Sequence, residues 1–223
     1  MRTKGTGVSH PGDVLESAGR IANVCGALLL GGASSRMGTD KAGLAFRRLG
    51  DEPAGLVLAR GLTTIFSQVL LVGGSPPETA PGLRVSDPEG PRCALRGLVG
   101  ALQAAPCERV LVVATDLPGL TPEMVLGLLA APAADVVLPR SDEQLQPLCA
   151  LYRRDAALPR ARHRLAQGAL ALAGVLDGLS LQVIEGDDLA ALDPEGLALF
   201  NVNTPEDRAE FERRTAAREA ACW

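Results

Sequence analysis

Short apolar runs alternate with stretches of helical periodicity from Val24 onward. The runs cover residues 26–30, 69–72, 110–114 and 136–138, and helices are predicted near residues 53–66, 94–104, 121–130, 154–166 and 204–219. Parallel strands need crossover connections, which the intervening helices can supply. The pattern therefore predicts an α/β fold with a mostly parallel sheet and helices on both of its faces. The continuous apolar character of the runs agrees with strands that are buried on both sides.

Local signals divide the chain and mark two helix starts. Residues 1–23 mix Gly, Ser, Pro and isolated charges without a period, so we expect a flexible leader, followed by one domain over residues 24–216. Thr121 and Thr204 are each followed by Pro and Glu, which places a hydroxyl at the cap, proline at the first helical position and an acid in the first turn. These features predict helices that begin at Pro122 and Pro205.

The composition excludes some classes of function. The formal net charge is −4, hydrophobic residues make up 47% and charged residues 22%. A nucleic-acid partner is therefore not expected, because such proteins usually need a basic surface. No apolar run approaches the ~20 residues that cross a bilayer. We expect a cytoplasmic protein without a membrane partner.

The cysteines carry no recognisable pattern. There are five of them, an odd number with no C-x-x-C pair: Cys25, Cys93, Cys107, Cys149 and Cys222. Such a set fits neither a disulfide framework nor a zinc site. We therefore expect reduced and mostly buried thiols.

A glycine-rich segment follows the first predicted strand. Gly31 and Gly32 come directly after the apolar run, and Arg36 and Lys41 follow soon after. Glycines let the backbone approach a ligand closely, and exposed N–H groups in such a turn bind anions. Arg36 and Lys41 would add the positive charge that holds a polyphosphate. The spacing matches neither the Walker A loop nor the dinucleotide fingerprint, and a glycine-rich turn with two surface bases is the alternative interpretation.

Two acidic residues come after predicted strands. Asp116 follows the apolar run at residues 110–114, at the sheet edge where open α/β folds bind their ligands. A single carboxylate there suits Mg²⁺, which binds through one or two carboxylates together with substrate phosphates. Asp87 follows a shorter run and precedes Pro88, so a simple turn is the alternative for both acids.

Four segments fall in a characteristic order along the chain. They read L-L-G-G-A-S-S-R-M-G-T-D-K at residues 29–41, A-T-D-L-P at 114–118, Q-P-L-C-A-L-Y at 146–152 and N-V-N-T-P-E-D at 201–207. Together they resemble the molybdenum cofactor guanylyltransferases, over about residues 24 to 212. The resemblance implies a single-domain, Rossmann-like nucleotidyltransferase fold. It also implies transfer of GMP from Mg-GTP to the phosphate of molybdopterin, with pyrophosphate as the second product.

The resemblance further implies roles for individual residues. The nucleotide contacts would come from Leu29, Leu30, Gly31, Gly32, Lys41, Asp87 and Asp116. The catalytic residues would be Arg36, Lys41 and Asp116, with Asp116 binding Mg²⁺, while Asn201 and Asn203 would face the acceptor and Tyr152 would pack beneath the site. The attacking phosphate is already ionised, so the reaction needs no protein nucleophile and no histidine base. The partners implied are GTP and molybdopterin, the latter delivered by cofactor-biosynthesis proteins.

Three stretches depart from the family pattern. Leu30 stands where relatives usually have Ala, and it would crowd the nucleotide if its side chain pointed there. Residues 93–97 read C-A-L-R-G where relatives usually have G-P-L-x-G, a change that could alter the choice of base. After Gly168 the chain reads A-L-A-L-A where relatives commonly carry arginines, which bears on the acceptor.

Other functions are compatible with these residues. The nearest is a cytidylyltransferase for the same pterin, or a relative with another phosphorylated small acceptor. A non-catalytic nucleotide-binding or docking protein that keeps the fold is the alternative from a different class.

Overall fold

Ten strands and six α-helices follow one another along the described residues, which are 20–31, 45–46 and 49–216 of the computed structural model. The strands are β1 (Val24–Leu29), β2 (Ala45–Phe46), β3 (Glu52–Pro53), β4 (Val69–Val72), β5 (Leu83–Val85), β6 (Arg109–Ala114), β7 (Val136–Ser141), β8 (Gln144–Leu145), β9 (Cys149–Arg153) and β10 (Leu181–Ile184). The helices are α1 (Ala54–Ile65), α2 (Ala94–Ala104), α3 (Pro122–Ala130), α4 (Arg154–Ala166), α5 (Gly186–Leu192) and α6 (Pro205–Thr215). A 3-10 helix covers Leu172–Leu176.

The main sheet has β1 near its middle. Its strand order is β10-β7-β9-β6-β1-β4-β5, with β8 paired to β7, while β2 and β3 form a separate two-stranded sheet. β1 is buried along its whole length and runs parallel to both β4 and β6. β9 lies antiparallel between β6 and β7. The predicted mostly parallel sheet is confirmed, with β9 as the strand that runs the other way inside it.

Helices cover both faces of the sheet, as the sequence pattern predicted. Side chains of successive residues in β1 point to opposite faces, because the side-chain period of a strand is two. Leu28 packs with residues of α1 and α3 in one apolar cluster, whereas Leu29 packs with residues of α2 and α4 in the other. Packing on both faces holds β1 in place within the sheet. It therefore also determines where the chain leaves the sheet at the carboxyl end of β1.

Both predicted helix starts are confirmed. The hydroxyl of Thr121 accepts a hydrogen bond from the backbone N–H of Met124 at 3.3 Å. Thr204 and Asp207 form a reciprocal capping box, with distances of 3.1 and 2.8 Å between each side-chain oxygen and the other residue's backbone nitrogen. The last helix was predicted to reach residue 219, and its final residues lie outside the described part of the chain.

Only the end of the predicted leader is described. Within it, Ile21 forms a bridge with Phe66, and its N–H donates to the carbonyl of Ile65 at 2.8 Å. The chain is thus in contact with the C-terminal end of α1 shortly before β1 begins. A leader over residues 1–23 and a domain over residues 24–216 stay predictions.

The expectation of reduced thiols is wrong for one pair of cysteines. Cys25 in β1 and Cys107 in the connection before β6 form a disulfide, with 5.8 Å between their Cα atoms. The two residues are 82 positions apart, so only the pairing of β1 with β6 brings them together. Cys93 and Cys149 are free thiols, the second fully buried, and Cys222 lies outside the described residues.

Among the helices of the described residues, none combines the length and the apolar character that a membrane span requires.

Candidate functional site at the carboxyl edge of the sheet

The carboxyl ends of β1, β4, β5 and β6 meet at one edge of the sheet because these strands run parallel. Backbone hydrogen bonds between neighbouring segments of the chain continue past the ends of the strands. The N–H of Leu30 donates to Val72 at 2.9 Å, and that of Gly73 donates to Val85 at 2.9 Å. The predicted strand-end residues are therefore brought together at this edge.

The side chains of Leu29 and Leu30 point into the core and away from the edge of the sheet. Leu29 is 3% exposed and contacts α2, where Gly97 leaves room for it, while Leu30 is 2% exposed and belongs to the apolar cluster on the opposite face. Only the backbone of these residues remains for a ligand. The expected crowding of the nucleotide by Leu30 does not occur, because its side chain is buried in the core.

Two glycines bring the segment after β4 against the end of β1. Gly74 has a φ of +56°, and a Cβ atom there would lie 2.8 Å from the carbonyl oxygen of Leu30. Gly73 has a φ of +66°, and a Cβ atom there would lie 2.6 Å from a carboxylate oxygen of Asp87. Both positions thus require glycine for conformation and for space. They allow the Asp87 carboxylate to lie over the backbone between β1 and β4.

Asp87 forms an ion pair with the first turn of α2. The Nη2 atom of Arg96 donates to Oδ2 of Asp87 at 2.8 Å, and Nη1 donates to the carbonyl of Gly90 at 2.7 Å. Both side chains are mostly buried, with 16% of Arg96 and 19% of Asp87 exposed. Asp87 was predicted as a site residue from the sequence, whereas its partner Arg96 was not. An acid after one strand and a base in the first turn of the next helix is the signal that could have indicated the pair.

A cavity of about 410 Å³ opens beside this carboxylate. It is lined by Leu71, Gly73, Gly74, Pro76, Arg84, Val85, Ser86 and Asp87. Its size is within the range of small-molecule sites. Arg96 holds the Asp87 carboxylate but is not among the residues that line this cavity.

Asp116 lies at the end of β6, next to the segment of Asn201 and Asn203. The N–H of Val202 donates to the backbone carbonyl of Asp116 at 2.8 Å. Asn201 is half-buried and donates from its amide to the carbonyl of Leu199 at 3.3 Å, whereas Asn203 is exposed. The structure therefore places the segment of the two predicted acceptor residues against the backbone of Asp116, the predicted metal ligand.

The residues predicted to bind phosphate lie outside the described part of the chain. They are Gly32, Arg36 and Lys41. The description resumes at Ala45, whose carbonyl accepts a hydrogen bond from Nη2 of Arg208 at 2.8 Å, and the same guanidinium lies 5.6 Å from the ring centroid of Phe46. Arg208 thus connects the chain beyond the glycine-rich segment to α6, a contact that the sequence did not indicate.

The donor set at the edge suits a metal that is shared with a substrate. Among the described residues, no group of three or more His, Cys, Asp or Glu side chains could hold an ion by itself. Asp116 supplies one hard carboxylate at the strand end. Mg²⁺ usually binds in this way, through one or two carboxylates and the phosphates of a nucleotide. The residues present therefore fit Mg²⁺ brought in with a triphosphate.

The remaining sequence expectations concern residues around the edge. Tyr152 is fully buried and pairs with Val110, at the opposite end of β6 from Asp116, and its hydroxyl donates to the carbonyl of Pro147 at 2.7 Å. Burial raises the pKa of Tyr152, which remains a neutral core residue. After Gly168 the chain forms a short loop and then the 3-10 helix, against which Arg164 packs at Gly174.

Comparisons with known proteins agree with this architecture. A family model described as "MobA-like NTP transferase domain" matches residues 26–179. A protein of Chloroflexus aggregans named "Probable molybdenum cofactor guanylyltransferase" is 35% identical over 193 residues, which cover 82% of this chain and 90% of that protein. One of the same name from Pelotomaculum thermopropionicum is 32% identical over 189 residues, with 82% and 88% covered.

A solved structure supports the fold. It is molybdopterin-guanine dinucleotide biosynthesis protein A from Archaeoglobus fulgidus, with a TM-score of 0.73, 21% sequence identity, and coverage of 87% of this chain and 100% of that one. The predicted nucleotidyltransferase fold is therefore confirmed.

Proposed function

Because this chain belongs to the family of MobA-like NTP transferases, we propose that it transfers GMP from Mg-GTP to the phosphate of molybdopterin. The products are the guanine dinucleotide form of the cofactor and pyrophosphate. The observation that carries the proposal is the juxtaposition at the carboxyl edge, where the hydrogen bond from Val202 to Asp116 joins the predicted metal side to the predicted acceptor side. The names of the relatives support the choice of base and acceptor.

The nucleotide lies across the ends of β1 and β4 in this proposal. The backbone of Leu29, Leu30 and Gly31 contacts it, together with Gly32 of the glycine-rich segment. Asp87 accepts hydrogen bonds from the nucleoside. Arg36 and Lys41 bind the triphosphate, because a guanidinium fork and an ammonium group suit phosphate oxygens.

The reaction is an in-line displacement at the α-phosphorus. An oxygen of the molybdopterin phosphate forms the new bond, and the bond from the α-phosphorus to the oxygen that bridges it to the β-phosphorus breaks, so that pyrophosphate leaves with the electron pair. Mg²⁺ at Asp116, when bound, neutralises charge on the triphosphate. The chain's own residues orient the reactants, and the basic groups stabilise the developing negative charge.

Asn201 and Asn203 are the proposed contacts for the acceptor. Their segment lies beside Asp116, and an amide can donate to a phosphate or to a pterin carbonyl. We propose that other cofactor-biosynthesis proteins deliver molybdopterin to this side. We also propose a cytoplasmic location, where GTP is available.

A thermal-shift titration tests the nucleotide part of the proposal. The purified protein is titrated with GTP, CTP, ATP and UTP, each with and without Mg²⁺. A ligand that binds only the native state adds about 2.7 kcal/mol of stability at a hundredfold excess over its dissociation constant. We expect the largest shift with Mg-GTP. A shift selective for CTP would favour the cytidylyltransferase, and no shift with any nucleotide would favour a non-catalytic protein.

A further inference from the structure

We propose that Arg96 is a positioning residue for guanine selection, which holds the Asp87 carboxylate so that it accepts hydrogen bonds from the donor edge of the base. The proposal rests on the proposed function. In this proposal Arg96 acts through Asp87 and not by contact with the nucleotide, which agrees with its absence from the lining of the cavity beside the carboxylate. Arg96 would affect the selection of the base only by setting the orientation of the Asp87 carboxylate.

The guanidinium holds the carboxylate and the loop behind it at the same time. Nη2 contacts Oδ2 of Asp87 at 2.8 Å, while Nη1 contacts the carbonyl of Gly90 at 2.7 Å. Charge-assisted bonds of this kind are stronger and more directional than neutral ones. Because both side chains are mostly buried, solvent competes only weakly for either group. The carboxylate is therefore restricted to one orientation before any ligand arrives.

This orientation places the carboxylate over two glycine positions at the ends of β1 and β4. Its two oxygens lie 2.6 and 2.7 Å from the position that a Cβ atom of Gly73 would occupy, and Oδ2 lies 3.7 Å from the corresponding position at Gly31. Glycines at the ends of β1 and β4 thus leave the carboxylate accessible from the sheet edge. The guanidinium uses Oδ2, which leaves Oδ1 to accept hydrogen bonds from a ligand.

The distance from the metal side favours the nucleoside as the group that meets this carboxylate. Asp116 follows β6, whereas the Asp87 carboxylate lies over the end of β4, two strands away. Neighbouring strands are about 4.8 Å apart, so the separation is on the order of 10 Å. The phosphates would lie near the metal at Asp116, and the base would extend away from it toward Asp87. The Asp87 carboxylate would repel phosphates, but it would accept hydrogen bonds from a base.

Guanine has a donor pattern that a carboxylate recognises. Its Watson–Crick edge presents N1–H and the N2 amino group side by side, and a carboxylate only accepts hydrogen bonds. Hypoxanthine, the base of ITP, keeps N1–H but has no amino group. GTP and ITP have the same ribose and triphosphate. The preference for GTP over ITP therefore measures how well the Asp87 carboxylate is oriented toward the amino group of the base.

The experiment compares binding of Mg-GTP and Mg-ITP by the wild type, Arg96→Ala and Arg96→Lys. We expect Arg96→Ala to raise the dissociation constant for GTP about tenfold and that for ITP much less, so the preference for GTP shrinks. Arg96→Lys should recover part of this preference, because an ammonium group keeps one charge-assisted bond. In turnover assays the KM for GTP should rise while kcat changes little.

Two further variants separate this role from a structural one. Arg160 also donates to backbone carbonyls, those of Asp177 and Gly178, and lies away from the carboxyl edge, so Arg160→Ala is the matched control and should leave the preference unchanged. If Arg96→Ala does not fold, Asp87→Asn tests the same point, because the amide retains the size of the side chain but presents one acceptor fewer. Asp87→Asn should also lose the preference for GTP.

Two results would overturn the proposal while leaving the proposed function intact. One is an unchanged affinity for both GTP and ITP in Arg96→Ala, and the other is an equal loss of affinity for the two nucleotides, which would indicate a structural role. If the wild type binds no GTP at all, the proposed function fails, and the inference that rests on it fails too.

Discussion

Gly74 brings the segment after β4 into close contact with the end of β1. A Cβ atom there would meet the carbonyl of Leu30, and its φ of +56° disfavours any other residue. We expect Gly74→Ala to lower the free energy of unfolding by about 2–3 kcal/mol. Gly50→Ala is the matched control, because Gly50 has a φ of +67° but open space around it, and should cost about 1 kcal/mol. Urea denaturation measures both, and equal losses would contradict the close approach.

Cys149 is a thiol whose chemistry is suppressed by burial. Desolvation, together with the negative charge of Asp193, raises its pKa to about 12. At pH 8 the thiolate fraction is about one in ten thousand, and the thiolate is the nucleophile. Iodoacetamide at pH 8 should therefore label Cys93 in the folded protein and reach Cys149 only after unfolding. Mass spectrometry of the peptides would contradict this if both were labelled at similar rates.

Residue types alone indicated part of the edge. Asp116 and Gly31 were predicted to lie there because they directly follow buried parallel strands, and the structure places them there. The partners of such residues were not predictable in the same way. Arg96 and Arg208 act on Asp87 and Ala45 through contacts that depend on how α2 and α6 pack. The packing of these two helices against the sheet cannot be deduced from the local sequence.

At the scale of elements, the apolar runs predicted the buried parallel strands more clearly than the exposed or reversed ones. β5 is short and two of its three residues are exposed, so the run that precedes Asp87 is a weaker signal than the runs of the buried strands. β9 is as buried as its neighbours, and its antiparallel direction leaves no mark on its composition. The helix starts at Thr121 and Thr204 were predictable because capping is a local interaction.

The disulfide between Cys25 and Cys107 joins β1 to the connection that precedes β6. A loop closed over 82 positions reduces the entropy of the unfolded chain, which corresponds to about 4 kcal/mol in the chain-entropy model. We expect Cys107→Ser to lose up to that amount in non-reducing buffer and to match the wild type in dithiothreitol. Guanidinium denaturation in the two buffers is the measurement, and a wild type that is insensitive to the reductant would contradict the role of the bond.

At the scale of the whole molecule, the parallel strands collect functional groups from distant parts of the chain. The ends of β1, β4, β5 and β6 bring Leu30, Gly73, Asp87 and Asp116 to one edge, and the segment before α6 adds Asn201. The side opposite this edge contains the disulfide and the buried Tyr152. The proposed ligand-binding residues and the disulfide therefore lie at opposite ends of the same strands.

The central claim is guanylyl transfer at this edge, and product formation tests it most directly. Molybdopterin-loaded protein is incubated with Mg-GTP or Mg-CTP, and the dinucleotide and pyrophosphate are quantified by chromatography and mass spectrometry. Asp116→Asn is the paired variant, because Val202 binds the backbone carbonyl of Asp116 rather than its side chain, so that tie to the acceptor segment should persist. We predict guanine dinucleotide and an equal amount of pyrophosphate from GTP, at least a hundredfold less from Asp116→Asn, and little product from CTP. Absence of the guanine product from GTP, or undiminished turnover by Asp116→Asn, would contradict the account.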